Sequence, residues 1–191
     1  MLIAQAVRAS ELFFSTACGK DLAEEVYQKV LAGKRNIVLI GMPGSGKSTV
    51  GKMLAQKLGF SFADTDELIV SEEKMPIPDI FSSHGEKYFR DIESKVIRNL
   101  APVSSTVIAT GGGAVLRPEN HKALAHNGLF VFLDRPLEDI VPTKDRPLSS
   151  CREDLEKRYR ERHGLYESVA DVAVKGSKTV SQTAEEIMES I

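Results

Sequence analysis

The stretch Gly41-Met-Pro-Gly-Ser-Gly-Lys47-Ser48 decides the fold of this 191-residue chain. It matches the pattern G-x-x-x-x-G-K-[ST] completely, and it lies between the apolar run 36–40 and a helical pattern over 45–58. Glycines let the backbone curl with its N–H groups inward, which makes an anion nest at a helix N-terminus. The sequence therefore predicts a phosphate-binding loop between a buried strand and a helix.

The side chains of this loop have defined roles in holding a nucleotide. Lys47 would place a cation on the β- and γ-phosphates, and the Ser48 hydroxyl would ligate Mg²⁺. A chance glycine-rich turn is the alternative, but a complete match in a strand–helix context argues against it. We predict that the nucleotide is bound by Gly44, Ser45, Gly46, Lys47, Ser48 and Thr49.

Strands and helices alternate along the rest of the chain. Short apolar runs predict further strands at 60–63, 106–109, 129–133 and 172–174, and helical patterns cover 77–82, 86–100, 152–169 and the segments after 118 and 181. This order predicts an α/β fold whose central parallel sheet of about five strands is covered by helices on both faces. Ligands of such sheets bind beyond the carboxyl ends of the strands.

Composition excludes several classes of partner. The net charge of −2 gives no overall basic field for nucleic acid or an anionic membrane. Apolar runs such as 37–40 are too short to cross a bilayer. The two cysteines, Cys18 and Cys151, have no metal or redox spacing, so we expect a reduced, cytoplasmic protein.

Asp64-Thr-Asp66 follows the second predicted strand, on the side of the phosphate loop. Two carboxylates separated by one residue can take different roles, because one can hold the hydrated Mg²⁺ while the other accepts a proton from an attacking hydroxyl. Helix N-capping is the alternative, since aspartate often caps helices.

Three further features point to an acceptor of the phosphoryl group. Arg90 and Glu93 are three residues apart on a helix, where the carboxylate can aim the guanidinium at a ligand carboxylate; a surface ion pair is the alternative. Gly111-Gly112-Gly113 would let the main chain approach a ligand closely, unless it is a plain flexible turn. Arg146, in a loop, and Arg162, near Tyr166, are suited to anions, although single arginines are usually solvated.

In order and spacing, these motifs resemble those of the shikimate kinase family over residues from about 36 to 191. The segments that carry the resemblance are GMPGSGKST, DTD, IPDIFSSHGEKYFRDIE, TGGGAV, DRPL and ERHGLY. The resemblance implies a P-loop kinase fold and transfer of the ATP γ-phosphate to the 3-hydroxyl of shikimate with Mg²⁺, a step of aromatic amino-acid biosynthesis.

The resemblance also assigns roles by position. Asp66 would bind the reacting hydroxyls as candidate base, Asp64 would reach Mg²⁺ through water beside Ser48, and Glu93 would steady Arg90. Catalysis falls to Lys47, Asp66 and the lid residue Arg146. The resemblance assigns substrate binding to Asp66, Arg90, Gly112, Gly113 and Arg162. The two arginines would bind the substrate carboxylate.

Two regions depart from the family pattern. The lid, about residues 141–151, is short and lacks the earlier arginine that many members lay against the adenine ring. Residues 1–35 form an extension predicted to be helical, and residues 1–13 resemble the C-terminal end of shikimate dehydrogenases. We therefore expect either a fused dehydrogenase–kinase polypeptide or an ordinary extra helix before the kinase domain of residues 36–191, whose substrate-binding segment spans about 65–100.

Two rival functions use the same phosphate loop. Another small P-loop kinase would phosphorylate gluconate or a nucleoside monophosphate, but the second acceptor calls for an arginine-rich lid and a base pocket that the sequence lacks. A nucleotide-switched binding module would have no need of Asp66, Arg90 and Arg162 together.

Overall fold

The computed structural model describes residues 35–140, 152–176 and 179–191. Five strands lie in this part of the chain: β1 (Asn36–Ile40), β2 (Ser61–Asp64), β3 (Thr106–Ala109), β4 (Gly128–Asp134) and β5 (Val172–Lys175). They pair in parallel in the order β2–β3–β1–β4–β5. The predicted α/β fold with a parallel sheet of five strands is confirmed.

Among the described residues, five α-helices lie in the crossovers between parallel strands and a sixth follows the last strand. They are α1 (Lys47–Leu58), α2 (Thr65–Glu73), α3 (Ile77–Leu100), α4 (Pro118–Ala125), α5 (Arg152–Val169) and α6 (Val180–Ser190). No helix of the described residues is both long enough and apolar enough to cross a membrane.

Both faces of the sheet are buried because successive strand residues point to opposite sides. On one face, Val38 and Ile40 of β1 pack with residues of α3, α4 and α5, including Tyr166. On the other face, Ile37 and Leu39 pack with residues of α1 and α6. A fully buried aliphatic side chain contributes about 1.5–3 kcal/mol, so β1 anchors the sheet and fixes the position of the loop that follows it.

A separate apolar cluster joins α2 to α3 through Ile69, Ile80, Phe89 and Ile92. Within α3, Gly85 has φ 81° and ψ 172°, which breaks the helix where the sequence predicts a break. The second part of α3 is thereby fixed against α2, and this orients Arg90 and Glu93.

Some element boundaries lie one or two residues from their predicted positions, and the sequence defines no limits for α2. The predicted helix start at Ser45 is wrong: α1 begins at Lys47 because Gly46 has a φ of 94°, outside the helical range. Residues 1–34 of the predicted N-terminal extension and the lid with Arg146 lie outside the described residues, and the division at residue 35/36 stays a prediction.

Candidate active site

A cleft of about 240 Å³ opens beyond the carboxyl ends of the central strands. It brings the phosphate loop together with residues that follow β2 and β3, as expected for a parallel sheet. Eight residues predicted for the site line it, and Thr110, which was not predicted, lines it too: Gly44, Gly46, Lys47, Ser48, Thr49, Asp64, Asp66 and Gly112 are the predicted ones.

The phosphate loop owes its shape to glycine at positions that other residues rarely tolerate. Gly41 has φ 144° and Gly46 has φ 94°, and a methyl group on Gly41 would lie only 2.8 Å from the Leu133 carbonyl oxygen. Lys47 is buried, and its Nζ donates hydrogen bonds to the Gly41 and Met42 carbonyl oxygens at 2.9 and 2.7 Å. Its ammonium is therefore fixed beside the nest that would hold the phosphates.

Asp64 is both the cap of α2 and a contact of the phosphate loop. Its Oδ1 accepts hydrogen bonds from the backbone N–H groups of Asp66 and Glu67 at 2.9 and 3.3 Å. Its Oδ2 accepts a hydrogen bond from the Ser48 hydroxyl at 2.5 Å. Helix capping by Asp64 is therefore observed, and its role toward Mg²⁺ stays a prediction that the cap does not exclude, because the cap uses only Oδ1.

Asp66 lies in the first turn of α2, beside Gly111. A methyl group on Gly111 would lie 2.9 Å from Asp66 Oδ1 and 2.6 Å from Glu93 Oε1. The Gly111 N–H donates to the Thr65 hydroxyl at 2.9 Å, which ties the end of β3 to the start of α2. Asp66 lines the same cleft as the phosphate loop.

Arg90 and Glu93 form a buried ion pair, so the surface-pair alternative is wrong. Arg90 Nη1 donates to Glu93 Oε2 at 2.8 Å, and the two residues are only 8% and 0% exposed. Arg90 Nη2 also donates to Glu86 at 3.3 Å. Burial raises the pKa of Glu93, and the positive charge of Arg90 opposes that rise. Removing one partner of such a pair typically costs about 3–5 kcal/mol.

The three glycines after β3 leave no room for side chains. A methyl group on Gly112 would lie 2.6 Å from Pro43 Cδ of the phosphate loop, and one on Gly113 would overlap the Arg90 guanidinium. The loop is therefore a packed element that joins both halves of the cleft, and not a plain flexible turn.

Helix α5 supplies two further contacts to this loop. Arg162 Nη1 donates to the Gly112 carbonyl oxygen at 3.2 Å, and the Tyr166 hydroxyl donates to the same oxygen at 2.5 Å. Both side chains are buried. They are four residues apart, so they lie on one face of α5.

Two arginines near these groups were not predicted from the sequence. Arg117, before α4, donates to the Arg90 carbonyl oxygen at 3.1 Å and to Asp91 at 2.7 Å. Arg158 lies one turn before Arg162, and burial together with the neighbouring Arg162 charge lowers its pKa. Helical spacing to Arg162 was the available signal for Arg158, whereas the contacts of Arg117 join segments that are distant in the chain.

We expect Tyr166→Phe to lower the free energy of unfolding by about 1 kcal/mol near neutral pH, because the Gly112 carbonyl oxygen loses a donor. Burial raises the pKa of Tyr166 from 10.0 to about 12. Between these values the unfolded chain releases the tyrosine proton first, so the contribution of Tyr166 to stability falls as pH rises, by about 3 kcal/mol at full titration. Paired urea unfolding from about pH 8 to about pH 11 should show wild type losing its advantage over the variant. A difference that is constant with pH would contradict the assignment.

The family profile described as "Shikimate kinase" matches residues 43–191. The chain belongs to the shikimate kinase family. A shikimate kinase from Clostridium beijerinckii is 40% identical over 83% of this chain and 95% of the relative, and one from Caldanaerobacter subterraneus is 44% identical over 81% and 94%. The solved shikimate kinase of Acinetobacter baumannii in complex with shikimate superposes with a TM-score of 0.79 at 33% identity, covering 84% of this chain and 94% of that one.

Membership of the shikimate kinase family confirms the predicted family and enzyme class, an ATP-dependent phosphotransferase acting on shikimate. The cleft brings together the phosphate loop, Asp64, Asp66 and Gly112. Arg90 lies against Gly113, and Arg162 donates a hydrogen bond to the Gly112 carbonyl oxygen. The individual roles of these residues stay predictions, and Arg146 is outside the described residues.

Proposed function

We propose that this cleft transfers the γ-phosphate of ATP to the 3-hydroxyl of shikimate, with the acceptor bound between Asp66 and the guanidinium groups of Arg90 and Arg162. One observation carries the proposal. Two buried arginines flank the glycine loop that also contacts the phosphate loop, so an anion site and a phosphate site share one wall.

The two arginines have unused hydrogen-bonding capacity. Among the described residues, the Nε atoms of Arg90 and Arg162 are buried and have no hydrogen-bond partner. A buried polar group without a partner costs about 1–3 kcal/mol. A substrate carboxylate would supply acceptor oxygens to both, and guanidinium groups bind carboxylates with two parallel hydrogen bonds. Gly112 and Gly113 would then lie beside the ring of the substrate.

Asp66 is suited to orient the attacking hydroxyl and to accept its proton, since it lines the same cleft as the phosphate loop. Lys47 would neutralise charge on the β- and γ-phosphates. Arg146 of the lid would add a second cation over the transferred group. In-line transfer needs mainly such positioning and charge stabilisation, which these residues would supply.

The residues present fit a magnesium ion. Ser48 Oγ and Asp64 Oδ2 lie 2.5 Å apart at the cleft, and both are the hard oxygen ligands that Mg²⁺ prefers. No group of three or more His, Cys, Asp or Glu side chains suited to a metal occurs in the described part of the chain. Mg²⁺ typically uses one or two protein oxygens together with nucleotide phosphates and water. When bound, the ion would neutralise phosphate charge, with Ser48 as direct ligand and Asp64 acting through water.

We expect Gly113→Ala to lower kcat/KM for shikimate by roughly 100-fold, because the added methyl displaces the Arg90 guanidinium from its position and small misplacements in an active site have effects of this size. The KM for ATP should change little. Steady-state kinetics with each substrate varied in turn checks this prediction.

Gly164→Ala is the matched control for Gly113→Ala. A methyl group on Gly164 meets nothing within 4 Å, and the residue lies on α5 two positions from Arg162. This variant should keep wild-type kinetics and gain about 1 kcal/mol of stability from the higher helix propensity of alanine. An equal loss of kcat/KM in both variants would show that displacement of the Arg90 guanidinium is not the cause.

A coupled assay of ADP release tests the proposed reaction. Mg·ATP is supplied with shikimate, gluconate or a nucleoside monophosphate in parallel. Turnover with shikimate alone supports the proposal, and turnover with another acceptor overturns the assigned acceptor site. If no acceptor is turned over, a nucleotide-switched binding module is favoured.

Two parts of the proposal concern regions outside the cleft. The proposed location is the cytoplasm, because the two cysteines have no redox spacing and are too few for the disulfide framework typical of oxidising compartments. Covalent fusion to an upstream shikimate dehydrogenase remains a hypothesis based on residues 1–13. Sequencing the DNA upstream of the Met1 codon tests it, because an in-frame stop codon before a genuine start would exclude the fusion.

A further inference from the structure

Arg135 directly follows β4, and its side chain lies between two glycine segments. A methyl group on Gly46 would lie 3.7 Å from Arg135 Nη1, and one on Gly176 would lie 3.5 Å from Arg135 Cβ. The Gly176 N–H donates to the Asp134 carbonyl oxygen at 3.1 Å, which joins the ends of β4 and β5. The guanidinium of Arg135 therefore lies beside the phosphate loop, and the stem of its side chain lies beside the segment after β5.

The sheet order decides which part of a nucleotide would lie near Arg135. The proposed acceptor groups follow β2 and β3, on one side of β1, whereas β4 and β5 lie on the other side. In-line transfer puts the attacking and leaving oxygens on opposite sides of the transferred phosphorus. The remainder of the nucleotide must then extend from the loop after β1 toward the ends of β4 and β5, where Arg135 lies.

The burial and the unused hydrogen-bonding capacity of the Arg135 side chain suit it to bind a ligand. The residue is half-buried, and its Nε is buried without a hydrogen-bond partner among the described residues. A guanidinium is planar, always charged and able to stack on an aromatic ring while donating hydrogen bonds at its edge. The nucleoside end of ATP offers both an aromatic base and acceptor atoms.

We propose that Arg135 is a nucleotide-positioning residue whose guanidinium binds the nucleoside end of ATP, on the side of the phosphate loop away from the acceptor. This inference rests on the proposed function for the direction of the nucleotide. It assigns to the residue after β4 a contact that the sequence motifs do not indicate.

Calorimetry with two ligands tests the assignment, because ADP carries a nucleoside and inorganic tripolyphosphate does not. Arg135→Ala should weaken ADP binding by about 3- to 30-fold, the usual range for loss of a cation–aromatic contact. Tripolyphosphate binding and the KM for shikimate should stay within about twofold of wild type, within the scatter of a neutral surface change. Arg135→Lys should not restore ADP binding, since lysine keeps the charge but lacks the planar group.

Arg98→Ala is the control, because Arg98 is an exposed arginine on α3, remote in sequence from the phosphate loop. It should bind both ligands as wild type does. Unchanged ADP binding in Arg135→Ala would overturn the proposal. Equal weakening of ADP and tripolyphosphate would also overturn it, because that result means a phosphate contact or a structural role.

The result is independent of the acceptor assay. Weaker binding of ADP with unchanged binding of tripolyphosphate would support the proposed role of Arg135 even if shikimate were not phosphorylated. Conversely, phosphorylation of shikimate by an Arg135→Ala enzyme with wild-type ADP affinity would reject only the role of Arg135.

Discussion

Asp66→Asn should lower kcat by about 100- to 10,000-fold, the range expected when a positioned general base is lost. Asparagine keeps the size of the side chain but cannot take the proton of the attacking hydroxyl. The dissociation constant for Mg·ATP should stay near that of wild type, because the predicted nucleotide contacts are on the phosphate loop. Single-turnover kinetics together with calorimetric titration of nucleotide separates the two effects.

Glu67→Gln is the matched control for Asp66→Asn. Glu67 is the next residue of α2 and also carries a carboxylate, but it pairs with Lys52 at the surface, where both side chains are more than half exposed. Its loss should leave kcat unchanged, since exposed pairs contribute only about 0–1 kcal/mol. Full turnover by Asp66→Asn would show that the base is misassigned.

Arg90→Lys should raise the KM for shikimate by roughly 10- to 200-fold, corresponding to about 1.5–3 kcal/mol for a charged hydrogen bond, while the KM for ATP changes little. Lysine keeps the positive charge near Glu93 but cannot form the two-pronged contact with a carboxylate. Initial rates over a matrix of both substrate concentrations measure the two constants together.

Arg98→Lys is the corresponding control on the same helix, because Arg98 is exposed. We expect its kinetics to match those of wild type. If Arg90→Lys also leaves the KM for shikimate unchanged, then Arg90 does not bind the substrate, and its ion pair with Glu93 has only a structural role.

Much of the fold could be predicted from local sequence signals. The apolar run of β1 and the glycine pattern after it predicted a strand and the phosphate loop, and both are present. The limits of β3 and α5 were predicted as the structure has them, because glycines follow β3 and a charged helical pattern fills α5. The i,i+3 spacing of Arg90 and Glu93 predicted their contact, which is confirmed.

The remaining features depend on contacts between distant segments, and spacing within one segment cannot reveal them. The sequence could not show that Tyr166 donates to the Gly112 carbonyl oxygen, 54 residues away in the chain. It also could not show that Arg135 lies beside Gly46, because this requires the position of β4 next to β1 in the sheet. The burial of the Arg90–Glu93 pair likewise depends on how α3 packs.

The contact between Gly112 and Pro43 has a consequence for redesign of the enzyme. The backbone of Gly112 meets the rigid ring of Pro43 without room for a methyl group. The distance between the phosphate loop and the glycine segment is therefore set by contact with the main chain and not by a choice of side-chain rotamers. Variants with new acceptor preferences can therefore be sought among α3 and α5 side chains while the span that the phosphoryl group must cross stays constant. A larger residue at position 112 would instead widen that span, and every acceptor would be affected alike.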